Sequence, residues 1–355
     1  MFTIQDVKGL LVQAGENDVL SLYLNVNNAA PENQADTPAW RIALKKSLRD
    51  LNQDSAEWES LQERVHNFFE TYSPSSKGLI AFFGPDWEQT YSVPVDVENR
   101  AAYGVPLVSP FLQILDEHEP YLVVRVDREE ADFFVSTLGQ TDFHNSMEID
   151  LADYDFGEKS LMPATAAIVD GHGLTQGSNR DAFEDMIEEH RARFYRDVAD
   201  YTQKLMKSEK IRRVIIGGSE QTAHALHNLL PESVRKQVVE VVGLPGHYNT
   251  HQIFEHVQPQ ALAYEHEQDS KLVEEVINKA HANGRAVLGS EAVRDALDRQ
   301  QVEQIILTTD DVQTANELAR RALALNSEVE FISGDAAVRL NEEALGIAAK
   351  LYYSV

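Results

Sequence analysis

Gln176 is the side chain whose type and setting most suggest chemistry. It stands in "GHGLTQGS" (171–178), with Gly171 and Gly173 before it and Gly177 after it. A glutamine amide does not titrate at neutral pH and cannot act as a general base. It can orient a water molecule and donate a hydrogen bond to a developing oxyanion. The glycines let such a tip enter a narrow cavity without Cβ clashes, and they predict the most mobile segment of its domain. A neutral tool of this kind suits a site whose remaining groups come from another molecule, for instance RNA. Taken alone, the same residues also read as an ordinary surface loop.

The other candidate motifs are weaker. "GGSEQT" (217–222) lies between a strand pattern and a helix pattern, where backbone N–H groups could hold an anion. It lacks the lysine of a phosphate loop and the spacing of a dinucleotide fingerprint, so a plain strand-to-helix turn is preferred. His224 and His227 are three residues apart with no glutamate between them, so no metal is expected. Acidic pairs such as Glu188–Glu189 and Asp310–Asp311 read as solvated surface. No serine has a nucleophile-elbow context. The chain has no cysteine, which excludes disulfides, cysteine-ligated zinc and thiol catalysis. No cofactor is implied.

The formal net charge of −27 argues against non-specific binding to nucleic acid. The charge is uneven, however. "KLMKSEKIRR" (204–213) carries Lys204, Lys207, Lys210, Arg212 and Arg213 against one acid. This run reads either as a solvated helix end, where cations suit the dipole, or as a phosphate-contacting patch.

A long helix must carry the glutamine loop. Phe183, Ile187, His190, Phe194, Val198, Tyr201 and Leu205 recur at steps of three and four, and Ser178 or Asn179 is placed to cap the start. Around it the chain of 355 residues, 43% apolar, reads as α/β throughout. An N-terminal unit (1–112) has strands "VLSLYLNV" and "KGLIAFFG" and helices "AWRIALKKSLRDL" and "EWESLQERVHNFFETY". Its polar loop "NNAAPENQADTP" is the segment nearest to disorder. A central unit (113–260) opens on "PYLVVRVDREEADFFVSTLG", a hairpin pattern, and contains the loop, the long helix and two further strands. A C-terminal unit (261–355) alternates strand and helix as a compact α/β/α sandwich. No apolar stretch is long enough for a membrane span, and no signal peptide is read at the N-terminus, so a cytoplasmic protein is expected.

In this order and spacing the segments resemble the archaeo-eukaryotic class-1 release factor and Pelota superfamily, in particular its bacterial branch. "PYLVVRVDREEADFF" is similar to the opening of that family's central domain, and "NRDAFEDMIEEHRARFYRDVADY" to the helix after its GGQ loop. "AVLGSEAVRDALDRQQVEQIILTTDD" and "VEFISGDAAVRLNEEALGIAAKLYY" resemble a third domain with the fold of kink-turn-binding ribosomal proteins. The GGQ tripeptide itself is absent. An ungapped alignment puts Ser178 in the glutamine slot, whereas "GLTQG" resembles the G-x-x-Q-G loop of Vms-type peptidyl-tRNA hydrolases and makes Gln176 the catalytic residue. The second register is preferred because it keeps a glutamine between Gly173 and Gly177.

The resemblance implies a translation factor that contacts ribosomal RNA and peptidyl-tRNA, with a translational GTPase as a further partner. The Asn-Ile-Lys-Ser motif is missing, so no stop-codon decoding is expected. The rival implication is a Balon-type hibernation factor, which occupies the decoding site without releasing anything. A third is a stress-related RNA-binding protein acting off the ribosome.

Overall fold

Continuous apolar runs and amphipathic stripes account for most elements in the computed structural model of the protein. It describes residues 2–51, 53, 55–149, 178–282 and 284–353, with the side chains of 178–186 excepted. The loop residues 171–177, on which the expectation of a mobile tip falls, lie outside the described residues. The chain forms two compact units, one of residues 1–119, 137–140 and 262–355, the other of 120–136 and 141–261.

The first unit begins with α1 (Ile4–Ala14), β1 (Val19–Asn25), α2 (Ala39–Asp50), α3 (Ala56–Thr71), β2 (Gly78–Phe83), β3 (Glu88–Val93), β4 (Arg100–Gly104) and α4 (Ser109–Glu117). The strands form an antiparallel sheet in the order β3-β2-β1-β4. Strands β1 and β2 are covered on both faces, which is why they read as unbroken apolar runs rather than alternating ones. One face packs on Trp40 and Leu44 of α2 and Trp58, Val65 and Phe69 of α3.

The loop expected to be nearest to disorder is instead ordered by asparagines. Buried Asn33 donates to the carbonyls of Asn25 and Asn27 (both 3.1 Å), and its side-chain oxygen accepts the Trp40 N–H (3.2 Å). Polar composition reads as disorder only when the amides have no carbonyls to close on.

The second unit contains β5 (Tyr121–Val126), β6 (Glu130–Thr137), β7 (Gln140–Glu148), α5 (Ser178–Ser208), β8 (Val214–Gly218), α6 (Glu220–Leu229), α7 (Glu232–Arg235), β9 (Val238–Gly243) and the start of α8 (Thr250–His281). Its sheet order is β7-β6-β5-β8-β9, with β5, β8 and β9 parallel and the expected β5–β6 hairpin antiparallel. A third strand, β7, follows a turn in which Leu138 and Gly139 both have positive φ, the requirement of a tight hairpin. Phe194, Val198 and Leu205 of α5 are buried against one face of the sheet, as their spacing predicts. Ile253 and Val257 of α8 cover the other face.

Helix α8 runs through Pro259 without a break and continues to His281, so residue 260 lies inside a helix. The first unit then resumes with β10 (Ala286–Leu288), α9 (Ser290–Asp298), β11 (Val302–Leu307), α10 (Val312–Ala324), β12 (Glu328–Phe331), α11 (Gly334–Ala344) and β13 (Ile347–Leu351). These strands form a mixed sheet in the order β10-β13-β11-β12.

Within the first unit, residues from both ends of the chain share one core, where Tyr91 and Phe111 lie with Leu318 and Phe331. The α4 N-terminus is capped from far away. The Asn316 side-chain oxygen accepts the N–H groups of Val108 (2.8 Å) and Ser109 (3.1 Å), and its amide donates to Pro106 O (3.1 Å). Orphan donors at a helix start are satisfied here by a residue about 208 positions downstream.

At the other end of α4, half-buried Asp116 accepts the Phe331 N–H (2.7 Å). Burial, and then the carboxylates of Glu330, Glu119 and Glu265, hold its carboxyl well above the ordinary aspartate range. A raised acid binds its proton more tightly in the folded state, so stability is fullest at low pH. It is lost as pH rises from the ordinary range through the raised value. Asp116→Asn keeps the acceptor and sheds the charge. It is expected to raise the urea midpoint at neutral pH and to flatten its pH dependence. A lower midpoint with the pH dependence intact would overturn this account.

Candidate functional site

Helix α5 is 31 residues long. Ser178 and Asn179, the expected caps, lie within the described span of this helix, and their side chains are outside the described residues. Of the expected loop residues, Gly173, Gln176 and Gly177 lie outside the described residues, as does the Ser178 side chain.

At the far end the chain turns sharply. Lys210 adopts the left-handed conformation (φ 57°), and the Ile211 N–H reaches back to Met206 O at 2.9 Å, a Schellman-type closure. Leu205, Met206 and Ile211 are buried. The intervening residues Lys204, Lys207, Lys210 and Arg212 are exposed, and Arg213 is half-buried. The structure thus brings four of the five expected cations to the surface at the α5–β8 junction. Among the described residues none of these four is in an ion pair, so no described carboxylate competes with an external anion for them. From Ser178 to Lys204 the helix rises by about 40 Å.

A crevice of about 490 Å³ opens at the C-terminal ends of parallel strands β5, β8 and β9. The guanidinium of Arg125 holds Asp132 through Nε (3.1 Å) and Nη2 (2.5 Å) and donates from Nη1 to Tyr248 O (2.9 Å). Asp132 is 5% exposed. These bonds occupy all three guanidinium nitrogens, so Arg125 ties central strand β5 to β6 and to the segment before α8. Glu130 beside it is pushed above its ordinary value by the Asp132 charge first, then by burial.

This pair was not anticipated, yet a signal exists. Arg125 and Asp132 lie opposite each other in the hairpin register, equidistant from the turn. Asp132→Asn is expected to cost about 2 kcal/mol, because a largely buried guanidinium loses its counter-charge. Urea denaturation measures this, and an unchanged midpoint would show the pair to be dispensable.

The "GGSEQT" glycines serve packing. A Cβ at 217 would lie 2.7 Å from Leu244, and one at 218 would collide with the Val126 carbonyl. Ser219 caps α6 by accepting the Thr222 N–H (3.2 Å). Among the described residues no group of three His, Asp or Glu side chains is arranged to hold a metal. No helix among them is long and apolar enough to cross a membrane.

Residues 106–262, which span the loop, α5, the basic run and the crevice, match the family described as bacterial archaeo-eukaryotic release factor family 10. The protein pelota homologue of Pyrococcus furiosus is 26% identical over 184 residues, covering 47% of this chain and 51% of the relative. That of Thermococcus onnurineus is 24% identical over 166 residues, 45% and 46% of the two chains. Through this segment the chain is similar to the release factor and Pelota superfamily. The chain spans about half the length of the curated relatives it matches.

Among solved structures, ribosome-bound archaeal Pelota aligns over 99% of this chain and 95% of its own at 14% identity, with a TM-score of 0.48. An archaeal translation termination factor aligns over 99% of both chains at 15% identity, with a TM-score of 0.29. In the matched segment of this chain, α5 joins two features of different character. A glycine-rich loop with one glutamine precedes it, and a cluster of exposed cations follows it.

Proposed function

We propose that the protein is a ribosome-binding translation factor that hydrolyses peptidyl-tRNA in rescue or quality control, without decoding stop codons. The observation that carries this reading is the release-factor match over residues 106–262, inside which Gln176 lies between glycines just ahead of α5. Lys204, Lys207, Lys210 and Arg212 hold rRNA phosphates. The loop, about 40 Å of helix rise away, reaches the ester joining peptide to tRNA. Gln176 orients the attacking water and stabilises the oxyanion, and rRNA supplies the rest of the site. In this reading the chain has three functional domains, of residues 1–112, 113–260 and 261–355. The third docks on the ribosome or on a translational GTPase.

The test is a single-turnover release assay with purified large subunits carrying labelled peptidyl-tRNA. Release above the buffer rate supports the hydrolase. One observation favours a second reading: the GGQ tripeptide is absent. A non-catalytic factor that occupies the A site of idle ribosomes needs no such tripeptide. Tight ribosome binding with no release from any peptidyl-tRNA substrate would establish that role instead.

A further inference from the structure

Two helices of the first unit carry the same short pattern on the walls of one groove. On α1 it is Lys8, Leu11 and Val12; on α10 it is Arg320, Leu323 and Ala324. Each set is spaced i, i+3, i+4, with a cation one turn ahead of two apolar residues. The groove has a volume of about 400 Å³, and Asn326 completes its lining. Lys8 Nζ donates to the Asn326 side-chain oxygen (2.8 Å), so Lys8 stands where α10 ends. Arg320 lies four residues, about 6 Å of helix rise, before the α10 end at Ala324, with Asn326 two residues further on.

The charges here are unbalanced. Arg321 pairs with Asp298 and Glu317, and Arg294 also pairs with Glu317. Arg320 has no ion-pair partner among the described residues, and its Nε is buried without a hydrogen-bond acceptor. Burial alone lowers its pKa, with no carboxylate acting against that shift. A guanidinium half-removed from water without a counter-charge is costly, and it is unexpected in a chain of net charge −27. Beside it Val12 is 83% exposed. A carboxylate together with apolar surface, supplied from outside, would relieve both.

We propose that this groove docks an amphipathic, acidic helix of a partner protein. Its apolar stripe lies on Leu11, Val12 and Ala324, and its acids meet Arg320 and Lys8. Two helices side by side present ridges that a third helix packs into. Acids at i and i+7, about 10.5 Å apart along such a helix, span the two cations, with apolar residues at i+3 and i+4 between them. The proposal is independent of the peptidyl-tRNA reading, since it uses no residue of the release-factor segment.

The probe is a fluorescein-labelled, alanine-based peptide of about 20 residues with Glu at i and i+7 and Leu at i+3 and i+4. Its binding is followed by anisotropy. Saturable binding to the wild-type protein is expected, weakened about tenfold by Val12→Asp and by Arg320→Gln. A peptide with Lys in place of both Glu should not bind. Val12 is exposed, so Val12→Asp leaves the fold intact and decides the matter if Arg320→Gln unfolds the chain. Three results would overturn the proposal: no saturable binding of the acidic peptide, equal binding by the Val12→Asp protein, or wild-type self-association in sedimentation that Val12→Asp abolishes. The last would assign the groove to a second copy of this chain.

Discussion

Gln176→Ala is expected to slow peptide release from large-subunit-bound peptidyl-tRNA by on the order of a hundredfold, the loss typical of removing one oxyanion-stabilising donor. Folding and ribosome binding should be unaffected, because a single loop side chain contributes little to stability. Melting temperature and co-sedimentation with ribosomes, measured beside the release rate, separate chemistry from docking. Ser178→Ala addresses the alternative register. A larger loss from Ser178→Ala than from Gln176→Ala would move the functional position to the first residue of α5. If neither substitution changes release, the glutamine has no part in the chemistry.

Ribosome docking should depend on the α5–β8 junction with an effect of similar size. Each cation that neutralises a phosphate contributes about 0.9 to the slope of log affinity against log salt. Four such contacts therefore correspond to roughly a hundredfold change in affinity between 50 and 200 mM salt. The variant that tests this is Lys204→Gln, Lys207→Gln, Lys210→Asn and Arg212→Gln together. Asparagine is chosen at 210 because that residue has positive φ, which asparagine tolerates. Weaker co-sedimentation at low salt and a flatter salt dependence are expected. Binding that keeps its affinity and slope would place the docking surface elsewhere in the chain.

The two experiments fail in different ways. Loss of release with binding intact assigns the chemistry to the loop. Loss of binding with residual release at saturating protein assigns the cations to docking. The hibernation reading predicts a salt-dependent ribosome complex and no release in any variant.

The sequence alone determined whatever depends on neighbours a few residues apart. The spacing of Phe194, Val198 and Leu205 specifies the buried stripe of α5, since a helix repeats every 3.6 residues whatever it packs against. The apolar runs of β1 and β2 specify buried strands, and the turn after Val126 specifies a hairpin. The glutamine between glycines, and its place ahead of α5, is likewise legible from order along the chain.

Only the tertiary structure decided what depends on groups far apart in sequence. Asn316 capping α4, Asp116 meeting β12, and Lys8 sharing a groove with Arg320 each join the N-terminal part of the chain to its C-terminal part. No periodicity encodes such pairs. The polar loop at 27–38 reads as disordered until the carbonyls of Asn25 and Asn27 are close enough for Asn33 to bond both. The run "KLMKSEKIRR" reads equally as a helix end or a patch until Lys210 turns the chain and buries Ile211, leaving four cations outside. Local pattern sets which face of an element is apolar. Which polar groups then meet across the fold depends on the packing of those faces, since a hydrogen bond or ion pair forms only where packing brings donor and acceptor within about 3 Å.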